Sequence, residues 1–268
     1  MPPEQEEDSA LPSAYVNEGP VMSRVWKFWS PVWKLRHKQD GRLFPWVATF
    51  WMLLLLSPYM LTNRIAAFRD VTTWDPKTVF PLADGPHPYL DHAIPFVGWT
   101  IFIYYTIFLF YVALPLSAPR TDKGCRELFV TMQFIAMSSW LAYLVFFFLP
   151  AEVDMRWQVV EAGGTQGWLG PFYAWFHWLD RPYNSWPCLH VAQTFLAAIG
   201  MTHWWTRDGH KVRILALWIL WIALALSTLT TKQHFLWDVL TGFALGLATW
   251  WLGLRPALRH IAGQYAPE

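Results

Sequence analysis

The chain has 268 residues, of which 54% are hydrophobic, 18% aromatic and only 15% charged, with 20 Trp and a formal net charge of +1. Soluble domains carry about 25% charged residues and far less Trp. This balance excludes a disordered chain, a nucleic-acid binder driven by bulk positive charge and an ordinary cytosolic enzyme, and it leaves a lipid bilayer as the place for the apolar residues.

Residues 1–20 are acidic and Pro-containing and predict a disordered tail; the basic start and apolar stretch of a signal peptide are missing. Residues 21–43 are basic and Trp-rich. Trp26, Trp29 and Trp33 recur at roughly helical spacing among Arg24, Lys27, Lys34, Arg36 and Lys38. That pattern predicts an amphipathic helix in the headgroup region, with a solvated linker as the plainer alternative. Six apolar segments follow, at 44–61, 93–116, 128–150, 186–205, 212–230 and 235–254, most of them long enough to cross about 30 Å of hydrocarbon. Residues 255–268 are expected to be a cytoplasmic tail, and no internal repeat is evident. The expected fold is an all-α integral membrane protein, a six-transmembrane-helix bundle over 44–254 behind an N-terminal interfacial amphipathic helix.

Lys and Arg in the loops orient the bundle. Lys34, Arg36, Lys38 and Arg42 precede the first span, and Arg120, Lys123 and Arg126 lie between the second and third. Arg207, Lys211 and Arg213 lie between the fourth and fifth, and Arg255 and Arg259 follow the sixth. With six spans all four groups share one side, so both termini are expected to be cytoplasmic. The opposite loops, 62–92 and 151–185, are longer and less basic. This puts Cys125 inside and Cys188 outside; two cysteines in any case make no disulfide framework and match no metal spacing.

Ionisable residues at membrane depth are costly and are functional candidates. Two clusters fall at the expected outer face. The first runs from Asp180-Arg181-Pro182 to Pro187-Cys188-Leu189-His190. Pro187 suits a first helical turn capped by Asn184 or Ser185, whose free N–H groups would attract an anion, with His190 one turn in. A helix start that merely contains a His is the alternative. The second cluster runs from Ser227 to Asp238. His234 and Asp238 are spaced i, i+4 and would share a helix face, so that Asp238 fixes the imidazole tautomer and leaves the other nitrogen as nucleophile or base. Lys232 is basic where the loops are poor in basic residues, either as a phosphate counter-charge or as a snorkelling side chain. Around the 151–185 loop, Trp157, Trp168, Trp175, Trp178 and Trp186, with Phe172, Tyr173 and Phe176, are expected in the outer interface as part of a substrate entrance. His177 reads as a hydrogen-bonded interfacial residue, and Arg156 and Glu161 as solvated. Together the clusters suit phosphoryl transfer: His234 attacks phosphorus, Asp238 orients it, and His190 protonates the leaving oxygen.

At these residues a family resemblance appears. Pro187-Cys188-Leu189-His190 resembles the P-S-x-H element of the type 2 phosphatidic acid phosphatase superfamily. Ser227-Thr228, followed by five residues, His234, three residues and Asp238, resembles its S-R-x5-H-x3-D element. The wording around both is most similar to the inositol-phosphorylceramide-synthase-like branch and its bacterial relatives. The resemblance implies a phosphohistidine on His234, Asp238 as its partner, His190 as general acid, and phosphate contacts from Ser227 and Cys188, with no metal and no cofactor.

Three departures shape the expected substrate. Cys188 replaces a Ser hydroxyl by a weak thiol donor while keeping the backbone N–H. Thr228 stands where the phosphatases have Arg, with Lys232 or Arg181 as substitutes. Of the upstream K-x6-R-P element only Arg181-Pro182 remains. Fewer cations suit a singly charged phosphodiester, so the expected activity is transfer or cleavage of a phospholipid headgroup at the periplasmic or lumenal face, with ceramide or diacylglycerol as candidate acceptor. A lipid phosphate monoesterase of the phosphatidic acid or polyprenyl diphosphate type is the alternative. A zinc site of His190, His234 and Asp238, a transporter with a His proton relay, and a non-catalytic lipid-binding scaffold are the remaining rivals. Partners are lipids and the membrane, without nucleic acid.

Overall fold

The computed structural model describes residues 19–36, 42–69, 74–84 and 86–265, so residues 1–18 of the expected acidic tail lie outside the described residues. Among the described residues the regular structure is helical, with isolated β-bridges at Pro81 with Tyr89 and at Ala151 with Asn184. Four helical runs are long and apolar enough to cross a membrane: Phe44–Phe68, Gly98–Ser117, Asp122–Phe148 and Lys211–Thr230. The first divides into α1 (Phe44–Leu56) and α2 (Pro58–Phe68), because Pro58 starts a new helix. The second ends in α3 (Ile107–Ser117), the third is α4 (Asp122–Phe148), and the loop after it carries α5 (Arg156–Glu161) and α6 (Gly170–Leu179). The fourth is α8 (Lys211–Thr230), between α7 (Leu189–Arg207) and α9 (Leu236–Thr249). A π-helical turn, Trp250–Leu254, leads from α9 into α10 (Arg255–Gln264).

Two segments expected to span, around α7 and α9, are not among the four apolar runs. The reason for α7 is its position. It packs against α3, α4, α8 and α9 at the centre of the bundle and meets protein where the outer helices present apolar surface. A helix in that place tolerates Gln193 and Thr194, both buried. Small residues bring α9 onto α7: a Cβ on Gly242 would lie 2.3 Å from the carbonyl oxygen of Cys188, and one on Gly246 would lie 3.3 Å from that of Ala192. Gly-x-x-x-Gly on α9 thus lets two backbones touch.

Over its described residues, which leave out 37–41 and with them Lys38, the basic, Trp-rich N-terminal segment is not one amphipathic helix. It consists of short 3-10 turns, Val21–Ser23 and Lys27–Trp29, and a four-residue helix, Ser30–Trp33. Its tryptophans pack on protein: Trp29 stacks on Phe129 of α4 at 4.9 Å and Trp26 on Trp140 at 5.5 Å, with Trp29 and Trp33 fully buried. The Gln133 side chain ties the segment down, accepting from Trp26 N at 2.9 Å and donating to Arg24 O at 2.9 Å. The expected C-terminal tail, too, is helical over α10 and buries Ala257, Leu258 and Ile261.

One end of the bundle holds the larger share of the basic residues, among them Arg36, Arg126 and Arg207, while Arg156, Arg181 and Lys232 lie at the other. Glu127, buried near the start of α4, accepts from Trp204 Nε1 at 2.9 Å and Arg207 Nη1 at 3.3 Å at the end of α7. Arg126 reaches Gln264 of α10 at 2.6 Å, and Arg36 pairs with Asp122 at 2.7 Å. His190 and His234 occupy the other end, at the start of α7 and just before α9.

Candidate functional site

Asp238 organises the turn from α8 into α9. The chain leaves α8 through Lys232, whose backbone is left-handed (φ 61), and the N–H groups of Gln233 and His234 both return to Thr228 O at 3.1 and 3.2 Å. Asp238, in the first turn of α9, caps it by accepting from Phe235 N at 2.9 Å. His234 therefore sits ahead of the helix and does not share a helix face with Asp238; the turn folds it back until Nδ1 lies 3.4 Å from Asp238 Oδ2. The same nitrogen lies 3.0 Å from the carbonyl oxygen of Ser185.

The first cluster meets the second through its backbone. The helix α7 starts later than expected, with Cys188 as its cap in place of Asn184 or Ser185 and with Pro187, after a cis peptide bond, outside it. Cys188 N donates to the carbonyl oxygen of Asp238 at 2.9 Å, so this N–H joins helix to helix and is not free for an anion. His190 then lies one step into α7 with Nδ1 3.1 Å from His234 Nε2. Tyr104, fully buried, places its hydroxyl 2.7 Å from His190 Nε2. These partners assign one consistent set of tautomers. Tyr104 Oη donates to His190 Nε2, His190 Nδ1–H donates to His234 Nε2, and His234 Nδ1–H points at Ser185 O and Asp238. His234 Nε2 thus carries the lone pair. Cys188 Sγ completes the cluster: it and one nitrogen of each imidazole lie within 4.8 Å of one another.

Two cavities meet at the histidine pair. A small polar one is lined by Arg156, Asp180, Arg181, Asn184, Gln233 and His234, with room of about 10 Å³, roughly one water. Arg156, expected to be solvated, donates through Nη2 to the carbonyl oxygen of Asp180 at 2.6 Å, and its buried Nε has no hydrogen-bond partner. The Asp180 carboxylate accepts from Tyr59 Oη at 2.6 Å and Asn63 Nδ2 at 3.1 Å. Asn63 also brackets the backbone of Arg181, donating to its O at 2.8 Å and accepting from its N at 3.0 Å. The second cavity, about 310 Å³, is almost wholly apolar and lies between α1, α2, α3, α4, α6 and α7, lined by residues such as Leu56, Met60, Ile107, Phe176 and Leu189. Asp180 and His190 stand on its wall.

Of the residues read as phosphate-binding, Arg181 lines the polar cavity and Cys188 lies beside both imidazoles. Lys232 and Ser227 are directed elsewhere. Ser227 Oγ is bonded back to Leu224 O at 2.7 Å within its own helix. Lys232 is fully buried, with Nζ bonded to the carbonyl oxygens of Asp91 (2.8 Å) and Ile94, because its left-handed backbone turns the side chain into the loop before α3. Burial draws the Lys232 ammonium down to about 8 against the attraction of Asp91. Asp91 is buried as well, and loss of solvation pushes its carboxyl up to about 6, although it accepts from Leu236 N at 2.6 Å. His177 is hydrogen-bonded as expected, with Nε2 3.2 Å from Gln233 Nε2. Trp157, Trp168, Trp175 and Trp178 are exposed, whereas Tyr173 and Phe176 are buried beneath them. Sequence reasoning missed Tyr104, Asn63 and Arg156. Only Arg156 carried a signal: like Lys232, it is a cation in a loop poor in basic residues.

The PAP2 superfamily model matches residues 96–260, more than half of the chain, and takes in Tyr104, Arg156, His190, His234 and Asp238. The chain belongs to the PAP2 superfamily. No curated protein and no solved structure matches it. As a PAP2 member with four membrane-length apolar helices, it is an integral membrane protein of the lipid phosphatase and phosphotransferase class.

Proposed function

We propose that this PAP2 protein transfers a phosphoryl or phospho-headgroup unit from a membrane lipid through a phosphohistidine on His234. The 3.1 Å approach of His190 Nδ1 to His234 Nε2, with Asp238 and Ser185 O behind His234 Nδ1, carries the reading. His234 Nε2 attacks phosphorus and the bond to the leaving oxygen breaks. His190, protonated on both nitrogens with Nε2–H held by Tyr104 Oη, gives its Nδ1 proton to that oxygen and becomes neutral. An acceptor hydroxyl then returns a proton to His190 and attacks phosphorus, and the P–N bond breaks. Asp238 stabilises the charge that His234 gains. Arg156 and Arg181 face the phosphate oxygens, and the apolar chamber takes a lipid chain. With room for only one water at the polar cavity, phosphate binding requires the two imidazoles to part.

The loop charges support six spans, with α7 and the helical run from α9 among them. Both termini and the basic end of the bundle are then cytoplasmic, and the histidine pair faces the periplasm or lumen. Headgroup transfer or cleavage is the first reading of the reaction. Two guanidinium groups also match a doubly charged monoester, which keeps phosphatase activity as the second.

Purified protein incubated without added metal in a mixed pool of phospholipids with ceramide or diacylglycerol, followed by lipid mass spectrometry, tests this. A new phospholipid or a released phosphate or headgroup is expected, and none from His234→Ala. Full turnover by His234→Ala would overturn the mechanism.

A further inference from the structure

Cys188 stands where the P-S-x-H wording has Ser, and it gives the histidine pair a thiol neighbour. Its sulfur and one nitrogen from each of His190 and His234 lie within 4.8 Å of one another. A tetrahedral zinc ion, with Zn–N near 2.0–2.1 Å and Zn–S near 2.3 Å, needs ligand atoms roughly 3.3 to 3.6 Å apart. His190 Nδ1 and His234 Nε2, at 3.1 Å, are already close to that spacing, and the sulfur need move in by only about 1 Å. The outer nitrogens have the partners that metal-bound imidazoles require. His234 Nδ1 faces Ser185 O and the Asp238 carboxylate, and His190 Nε2 faces Tyr104 Oη at 2.7 Å. A hydroxyl in place of the thiol would supply no soft ligand.

We propose that Cys188, His190 and His234 form a binding site for a soft divalent cation such as zinc, and that metal bound there inhibits the enzyme. The metal replaces the thiol proton of Cys188, and the His190 proton moves from Nδ1 to Nε2, where Tyr104 Oη accepts it. One proton is therefore released per ion. Water or a phosphate oxygen fills the fourth position. The inhibition rests on the phosphohistidine reading, since the ion would occupy the lone pair of His234 Nε2; the binding does not.

Titration of the purified protein in detergent with cobalt(II) alone tests the site. One ion per chain is expected, with intense visible bands of a tetrahedral centre and a sulfur-to-cobalt charge-transfer band in the near ultraviolet, displaced by zinc. Cys125→Ala should keep the sulfur band, whereas Cys188→Ser should lose it and bind at least about 10-fold more weakly. Absence of a stoichiometric site, cobalt bound without a sulfur band, or a sulfur band lost with Cys125→Ala would overturn the proposal. The charge-transfer band of the wild-type protein is decisive even if Cys188→Ser does not fold. In a parallel assay of lipid turnover, zinc should inhibit. A sulfur band in a protein without turnover would sink the phosphohistidine reading alone, and turnover indifferent to saturating zinc would sink the inhibition.

Discussion

Arg156 brings to the polar cavity beside His234 a charge that the motif wording lacks. Its Nη2 is fixed on the Asp180 carbonyl while its buried Nε has no hydrogen-bond partner, so a donor stands ready for a phosphate oxygen. Arg156→Ala should lower kcat/KM by about 100-fold, the usual scale for losing a charged donor at developing negative charge. Arg156→Lys should recover part of it, and a variant with unaltered kinetics would remove the residue from the site. Tyr104 acts at one remove, by holding His190 Nε2. Tyr104→Phe deletes one hydrogen bond, and a loss of roughly 3- to 10-fold in kcat with little change in KM is expected from steady-state kinetics. At this scale the meeting of His190, His234 and Asp238 was legible because the three stand at fixed spacing in two short motifs. Arg156 and Tyr104 were not, because they reach the pair across long sequence separations that leave no periodic trace. Lys232 misled for a local reason: only the left-handed turn shows that its ammonium points into a neighbouring loop.

Among the elements, the crossing of α9 over α7 sets the distance between the two histidines. Gly242 lies against the backbone of Cys188, and the Cys188 N–H to Asp238 bond joins the same two helices. Gly242→Ala must push the start of α7 away, costing about 1–3 kcal/mol in stability. It should also reduce turnover more than an equally destabilising substitution far from the site, as paired thermal-unfolding and activity measurements would show. The turn before α9 carries a pH dependence of its own. Asp91, raised to about 6, is destabilising when ionised: the penalty is absent below its unfolded value near 4 and complete above about 6. Lys232, lowered to about 8, opposes folding when protonated, so its penalty is complete below 8 and fades only toward 10.5. Between pH 4 and 6 only Asp91 of this pair titrates. The wild type should therefore lose stability relative to Asp91→Asn as pH rises through that window, read as the difference in Tm in detergent; parallel curves would contradict the assignment. Hydropathy made the outer helices legible. It undervalued α7, whose surroundings are protein, and it turned the N-terminal tryptophans toward lipid although their rings find partners on α4.

Across the whole molecule, the chain separates an end richer in basic residues from the end that holds the histidine pair. The Glu127 cluster and the Arg126 and Arg36 contacts tie the N-terminal segment, α4, α7 and α10 together at the first. The histidine pair, with its polar cavity and apolar chamber, lies at the other. With six spans these ends face opposite sides of the membrane, and single cysteines placed at exposed positions report it. In sealed vesicles of cytoplasmic-side-in orientation, Gln166→Cys should react with an impermeant thiol reagent directly, and Asp208→Cys only after permeabilisation, while Cys125 and Cys188 are buried. The reverse pattern would invert the topology, and equal reaction of both would require a different number of spans. The fold places these features, and the proposed chemistry rests on one covalent bond. The most direct measurement is a rapid quench of the protein during turnover of a phosphate-labelled lipid, followed by peptide mapping. Acid-labile, alkali-stable phosphate on His234, absent from His234→Ala, is the predicted result; sustained turnover with no phosphate ever attached to His234 would contradict it.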